Sequence, residues 1–315
     1  MGLGLGLGIW WPTQTSIIPG LLKALCARAT YCENKLCTTA TLEEIAAVRY
    51  TAPVLPTGLL AGYPGASAAY SLRNLIDTTT SVVRVRRSSD NTEQDFTATE
   101  ITDGTLTTFT GANDGFVTIW YDQSGNSNNV AQATANRQPK VVSNGSVVLS
   151  NNKPTVLFNQ SFLNQSVNLN SSEAEHFLVI RVSLYFPTVN SKTGLYQYNP
   201  STPNNNHYSW TDGDIYDGFA ASTRKTFTPS ETLAKLNLYN VLSKSSEWSA
   251  RLNSNEIFTT PSNTVNWGTS QVLGSNYSSS YYLNGYISEF MIYPTDQSAN
   301  RTGIETNINT EYTIY

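Results

Sequence analysis

Charge is scarce in this chain. Asp, Glu, Lys and Arg make up 13% of its 315 residues, and the net charge is −4. A nucleic-acid binder carries a basic face, and nothing here supplies one. Cysteine is confined to one stretch, as Cys26, Cys32 and Cys37. No disulfide framework therefore holds the remainder of the chain. The cysteine spacings, with no histidine nearby, do not suit a zinc site, and reduced thiols made in a reducing cytoplasm fit better. No apolar run reaches the ~18–20 residues of a spanning helix, which excludes membrane insertion by helices. The opening residues lack the basic start of a secretory signal. Heptads of Ala, Glu, Lys, Leu and Arg are also missing, which excludes a coiled coil.

What the chain has is uncharged polarity and aromatic bulk. It contains 31 Asn, 34 Ser and 39 Thr, with 18 Tyr, 11 Phe and 6 Trp. That aromatic content is too high for disorder. Tyr, Val, Ile and Thr together suit a β-rich domain that faces water with hydroxyls and amides.

Two regions differ in pattern. Residues 1–57 open on alternating Gly and Leu, then Ile9-Trp10-Trp11. In an extended chain Leu3, Leu5 and Leu7 share one face. With Ile9, Trp10 and Trp11 they form a candidate anchoring strand for the sheet edge of a partner. A flexible tail is the alternative. Short helices are expected at 21–31 and at 41–49, where Thr41 and Glu44 have capping-box spacing. From 58 to 315 short β-patterned runs alternate with turn signals, the pattern of an antiparallel β-sandwich. Strands are expected at 81–86, 116–121, 139–143, 146–149, 154–158, 176–186, 236–242, 247–251, 256–259, 270–274 and 284–293. Helices are expected at 67–77 and 298–309.

Three segments carry a family resemblance. They are Gly65–Arg73 with Val83–Asn91, then Trp120-Tyr-Asp-Gln-Ser-Gly-Asn-Ser-Asn128, then Gly285-Tyr-Ile-Ser-Glu-Phe-Met-Ile-Tyr-Pro294. Together they resemble the concanavalin A-like, laminin G-like jelly-roll domains of bacteriophage structural proteins. They resemble more distantly the catalytic domain of arabinofuranosidase B-type glycosidases. The resemblance covers residues 58–315 and implies a jelly-roll sandwich.

A retaining glycosidase needs a nucleophilic carboxylate and an acid/base carboxylate. The resemblance puts the acid/base Asp just before the C-terminal strand. Here that stretch, Gly274–Tyr282, contains no acid, and Asn276 cannot exchange the required proton. The nucleophile has no clear counterpart, the nearest acids being Asp212, Asp214 and Asp217. The family's adjacent cysteine pair is also absent. The expectation is therefore a non-enzyme.

Candidate glycan contacts are His207, Tyr208 and Trp210, and a second group of Asn276, Tyr277, Tyr281 and Tyr282. Aromatic faces stack on sugar rings while amides bond the hydroxyls. An exposed loop and cross-strand core pairs are the respective alternatives. Asp122 and the trio Asp212, Asp214 and Asp217 are candidate oxygen ligands for Ca²⁺. Asx-turn networks or a solvated turn account for the same residues. No cofactor is expected beyond that Ca²⁺. His176 opens an apolar strand and is expected to be structural. Arg84, Arg86 and Arg87 stand near Asp90, Glu93 and Asp95, as on a salt-bridged surface strand.

The resemblance implies a virion-surface protein of a bacteriophage: a head decoration, fibre or tail component. It would contact other virion proteins through residues 1–57, form a homo-oligomer, and present its sandwich to surface glycans. The alternatives are a glycoside hydrolase of the arabinofuranosidase type and a purely structural capsid clamp.

Overall fold

The computed structural model describes residues 58–77, 80–165, 171–183, 192–198, 206–268, 271–276 and 281–315. The anchoring residues Leu3, Leu5, Leu7, Ile9, Trp10 and Trp11, the two helices expected before residue 50, and Tyr277 lie outside the described residues.

The described chain is mostly β, an antiparallel sandwich. Its centre is the strand Glu173–Val182. That strand pairs with Asn237–Lys244 on one side and with Gly285–Tyr293 on the other, both antiparallel. Both faces of these strands are buried, so apolar residues fill successive positions in stretches such as Phe177–Ile180 and Phe290–Tyr293. Successive side chains point to opposite faces. Leu178, Ile180, Phe290 and Ile292 enter the main core, with Trp120, Val117 and Trp248. Phe177, Val179, Met291 and Tyr293 face a second core with Leu59, Ile304, Ile308 and Tyr312. The helix Arg301–Tyr312, close to the expected 298–309, thus covers the back of the central strands.

The strands Ser81–Arg87, Glu93–Thr97 and Gly115–Trp120 form an antiparallel group within the same sheet. Arg84 lies across from Asp95 in register and meets it at 2.7 Å, while Arg87 pairs with Asp90. The strand is ion-paired at its surface, as its charge pattern implies.

The helix expected at 67–77 is not there. Ala68–Ser71 is a strand, paired with Glu289–Ile292 and buried at all four positions. Alanine favours a helix locally, but a buried place beside Gly285–Tyr293 decides otherwise. Two short helices stand where none was expected, Ala98–Thr102 and Thr105–Thr110. The first carries a full capping box between Thr97 and Glu100, a signal present in Thr97-Ala-Thr-Glu100.

A separate three-stranded sheet joins His207–Tyr208, Ile215–Asp217 and Lys225–Phe227. It carries most of the residues that matter below.

Candidate functional site

The small sheet sorts its side chains by face. His207 and Tyr216 are paired in register, and so are Tyr208 and Ile215. One residue along, side chains change face. His207 and Tyr216 therefore belong to one side, and Tyr208, Ile215 and Asp217 to the other.

The turn between the first two strands is tightly tied. Trp210 N–H donates to Asp214 O at 2.9 Å, and Gly213 N–H to Trp210 O at 3.0 Å. Asp212 Oδ1 accepts Asp214 N–H at 3.0 Å, and its Oδ2 accepts the Tyr216 hydroxyl at 2.7 Å. These bonds hold the Asp212 carboxyl below the usual carboxylate range, the Tyr216 bond first. Asp214 Oδ1 accepts from Thr228 Oγ1 at 2.7 Å.

Above this turn three rings meet. Trp210 lies 4.4 Å from His207 and 5.5 Å from Tyr281, and His207 lies 5.3 Å from Tyr281. Tyr216 extends the group, 6.2 Å from Trp210. Trp210, Tyr216 and Tyr281 are half-buried, while His207 is closed beneath them. Lys192 Nζ sits 5.0 Å from the Trp210 ring, and the Arg224 guanidinium 4.6 Å from the Tyr216 ring. Such cation–ring contacts place hydrogen-bond donors beside apolar faces.

His207 orients the group. Its Nδ1 lies 3.1 Å from Thr193 O, and a carbonyl only accepts, so Nδ1 carries the proton. Burial pushes its pKa down to about 4, so the ring is neutral near pH 7. Gly194 brings Tyr281 close: its N–H donates to Tyr282 O, and a Cβ there would stand 2.0 Å from Tyr281 O. Only glycine permits that approach.

Of the expected glycan contacts, the structure brings together His207, Trp210 and Tyr281. Tyr208 turns inward and packs 5.3 Å from Tyr239 in the core. Asn276 is fully buried and accepts Tyr281 N–H at 3.3 Å, so it supports the cradle from below. Tyr282 stacks on Phe162 under the Arg137 guanidinium, apart from the three rings. Lys192, Tyr216 and Arg224 were missed. Tyr216 stood in a stretch read for its acids, and Lys192 arrives only through the bridge between Gly194 and His207.

The candidate metal ligands do not converge. Asp122 Oδ1 accepts Ala69 and Ser124 N–H, and its Oδ2 accepts Asn128 N–H and the Ser124 hydroxyl. Four donors within the protein occupy the carboxylate, the Asx-turn arrangement. Asp217 is fully buried, on the face opposite Tyr216. Among the described residues no group of three or more His, Cys, Asp or Glu is placed to hold a metal ion.

No family model matches the sequence, and no curated protein matches it. Solved structures do. The sandwich is similar to that of arabinofuranosidases. An arabinofuranosidase complexed with arabinofuranosyl-α-1,2-xylobiose aligns with a TM-score of 0.55 at 15% identity, over 79% of this chain and 63% of that one. A GH54 α-L-arabinofuranosidase soaked with a cyclic sulfate inhibitor aligns at 0.54 and 16%, with the same coverage. This chain thus spans about 63% of the length of those enzymes.

The comparison corrects the expectation of a bacteriophage surface protein. The solved structures named above that share this sandwich are arabinofuranosidases, not virion components. The phage jelly-roll resemblance and the non-enzyme expectation fall with it. The phage resemblance leaned on short motifs, and the most specific of these, Tyr121–Asn126, belongs to a hydrogen-bonded brace, while the non-enzyme expectation leaned on the lack of an acid in Gly274–Tyr282. Gln123 alone ties Leu75 N–H, Ser71 O and Arg73 O together. Such a brace follows the fold rather than the activity built on it.

Proposed function

We propose that this chain acts on carbohydrate as a glycoside hydrolase, with its sugar seated against Trp210, Tyr216 and Tyr281. The observation that carries the reading is the cradle itself. Half-buried ring faces offer stacking surface, and Lys192, Arg224, Asp212 and Asp214 offer donors and acceptors around it. Sugar recognition needs that combination of apolar face and polar rim. The likeness of the sandwich to arabinofuranosidases supports the same substrate class.

The chemistry available is that of carboxylates. Glycosidic bonds break through a transition state with positive charge on the sugar ring. Asp212, ionised and fixed by Tyr216, would stabilise that charge. Asp214, two residues on in the same turn, is the second carboxylate at hand, its Oδ1 bonded by the Thr228 hydroxyl. Asp217 is closed off and takes no part in contact with the sugar.

The test is release of nitrophenol from 4-nitrophenyl α-L-arabinofuranoside and from a panel of other aryl glycosides. Turnover is expected, with losses of about 100-fold or more in Asp212→Asn and Asp214→Asn. A folded protein that turns over no member of the panel overturns the reading.

A further inference from the structure

A groove of about 390 Å³ lies elsewhere on the sandwich and shares no residue with the cradle. Its size is within the range of about 300–1,000 Å³ seen for small-molecule sites. Its walls come from four parts of the chain: residues 72–74 just after the strand Ala68–Ser71, the helix Ala98–Thr102, residues 152–154 and the end of the helix Arg301–Tyr312.

Its charges are balanced within the protein. Arg73 gives Nε and Nη2 to Glu289, at 2.7 and 2.9 Å, and the Glu289 side chain is fully buried. Lys153 Nζ meets Glu311 at 2.9 Å. With each cation already matched, the groove has no excess charge to draw an ion.

Its dipoles are not spent. Asn74 and Asn152 are exposed at its rim, and among the described residues their side-chain amides and Arg73 Nη1 bond no other protein group and remain open to solvent or a ligand. Ala98 and Pro154, both half-buried, line the groove as well and supply apolar surface, with Leu72 buried behind it.

The walls are also held in place. Asn151 and Asn152 both adopt positive φ, 47° and 59°, in the tight turn between Leu149–Ser150 and Lys153–Pro154. Asn residues tolerate that conformation best among non-glycine types. Asn151 Nδ2 donates to Tyr312 O and Thr313 O, which fastens the turn to the helix end. Ser71 and the Tyr312 hydroxyl bond the same Glu289 that grips Arg73. The backbone around the groove is thereby fixed, so binding has only exposed side chains such as Asn74 and Asn152 to order.

We propose that this groove is a second saccharide-binding site, taking one or two units of a neutral sugar. Unspent amide and guanidinium capacity, apolar patches and the lack of net charge together match a neutral polyhydroxylated ring. A sulfate, phosphate or uronate would find no unmatched cation. The proposal rests on the carbohydrate reading of the chain only for its choice of probes.

The test is a ¹H–¹⁵N chemical-shift titration of the full chain with xylobiose and with arabinofuranosyl-α-1,2-xylobiose. The side-chain amides of Asn74 and Asn152 and the backbone amides of Thr99 and Thr102 are expected to shift together. Asn74→Ala should weaken that response by about tenfold, and Thr102→Trp, which fills the groove from an exposed position, should abolish it. The Trp210 indole reports the cradle separately in the same spectra. Groove shifts that persist in Trp210→Ala uphold the second site, even if the cradle binds nothing. Groove amides that stay still with both sugars, or that move only with glucuronate or sulfate, overturn it.

Discussion

The hydroxyl of Tyr239 donates to Asp217 Oδ2 at 2.7 Å in the closed interior of the sandwich. Tyr196 donates to the same oxygen at 2.6 Å, and Phe219 N–H to the other at 2.8 Å. Because the single Tyr196 proton goes to Asp217, its oxygen accepts from His176 Nε2 at 2.8 Å. Proton positions are thereby set along the chain from His176 through Tyr196 to Asp217. His176 Nδ1 is left bare, as suits a neutral ring whose pKa burial pushes down to about 3.

Asp217 makes stability depend on pH. Burial raises its pKa to about 6, against the three hydrogen bonds and the Lys225 charge, which lower it. In the unfolded chain it titrates near 3.9. A raised folded pKa gives stability that is fully present below about pH 4 and is lost as pH rises through about 6. The difference is about 2 pKa units, or about 3 kcal/mol. Relative to Asp217→Asn, the wild-type protein is therefore expected to lose about 2 kcal/mol between pH 4 and pH 7, since part of the difference is already gone at pH 4. Urea unfolding of both proteins at the two pH values checks it, and parallel curves would contradict it.

Trp210 is the ring with most to offer a sugar. It is half-buried and tied down by neighbours rather than embedded in the core. Trp210→Ala is expected to reduce sugar affinity or kcat/KM by about tenfold or more, with a stability cost below that of a core truncation. Calorimetric binding together with thermal unfolding separates the two effects. Unchanged binding would place the sugar elsewhere.

Gly194 links structure to site. A Cβ at this position would meet Tyr281 O at 2.0 Å and Asn276 N at 2.8 Å, both backbone atoms. Gly194→Ala should push Tyr281 and Lys192 away from Trp210 and lower both stability and sugar binding. Tryptophan fluorescence is expected to change as the rings separate. A variant with wild-type spectrum and affinity would show that the close approach is dispensable.

Arg73 and Glu289 form a pair that tolerates no half-removal. Arg73→Met leaves a fully buried carboxylate with only Ser71 and Tyr312 as partners. Removing one partner of a buried ion pair costs about 3–5 kcal/mol. Equilibrium unfolding should register a loss in that range, and Arg73→Met with Glu289→Gln should recover part of it.

Strand content, the antiparallel sandwich and the closing helix follow from local pattern. The apolar runs around 177–182 and 286–293 are buried on both faces, and no partner information is needed to see them. Ser67–Asp77 shows the limit of such reading: an alanine-rich segment with helical propensity becomes a strand because its place beside Glu289–Ile292 is buried. Candidate residues were legible as types but not as a group. Tyr208 and Trp210 stand two positions apart, yet one enters the core and the other lines the cradle. Lys192, Tyr216 and Arg224 join the site through bridges and strand pairing that no local spacing encodes. Composition and local pattern alone specify a charge-poor, hydroxyl-rich β domain without a disulfide framework. Which rings face the surface, which acid is sealed inside and which known fold the sandwich matches emerge from long-range packing. Those properties depend on contacts between residues far apart in the chain.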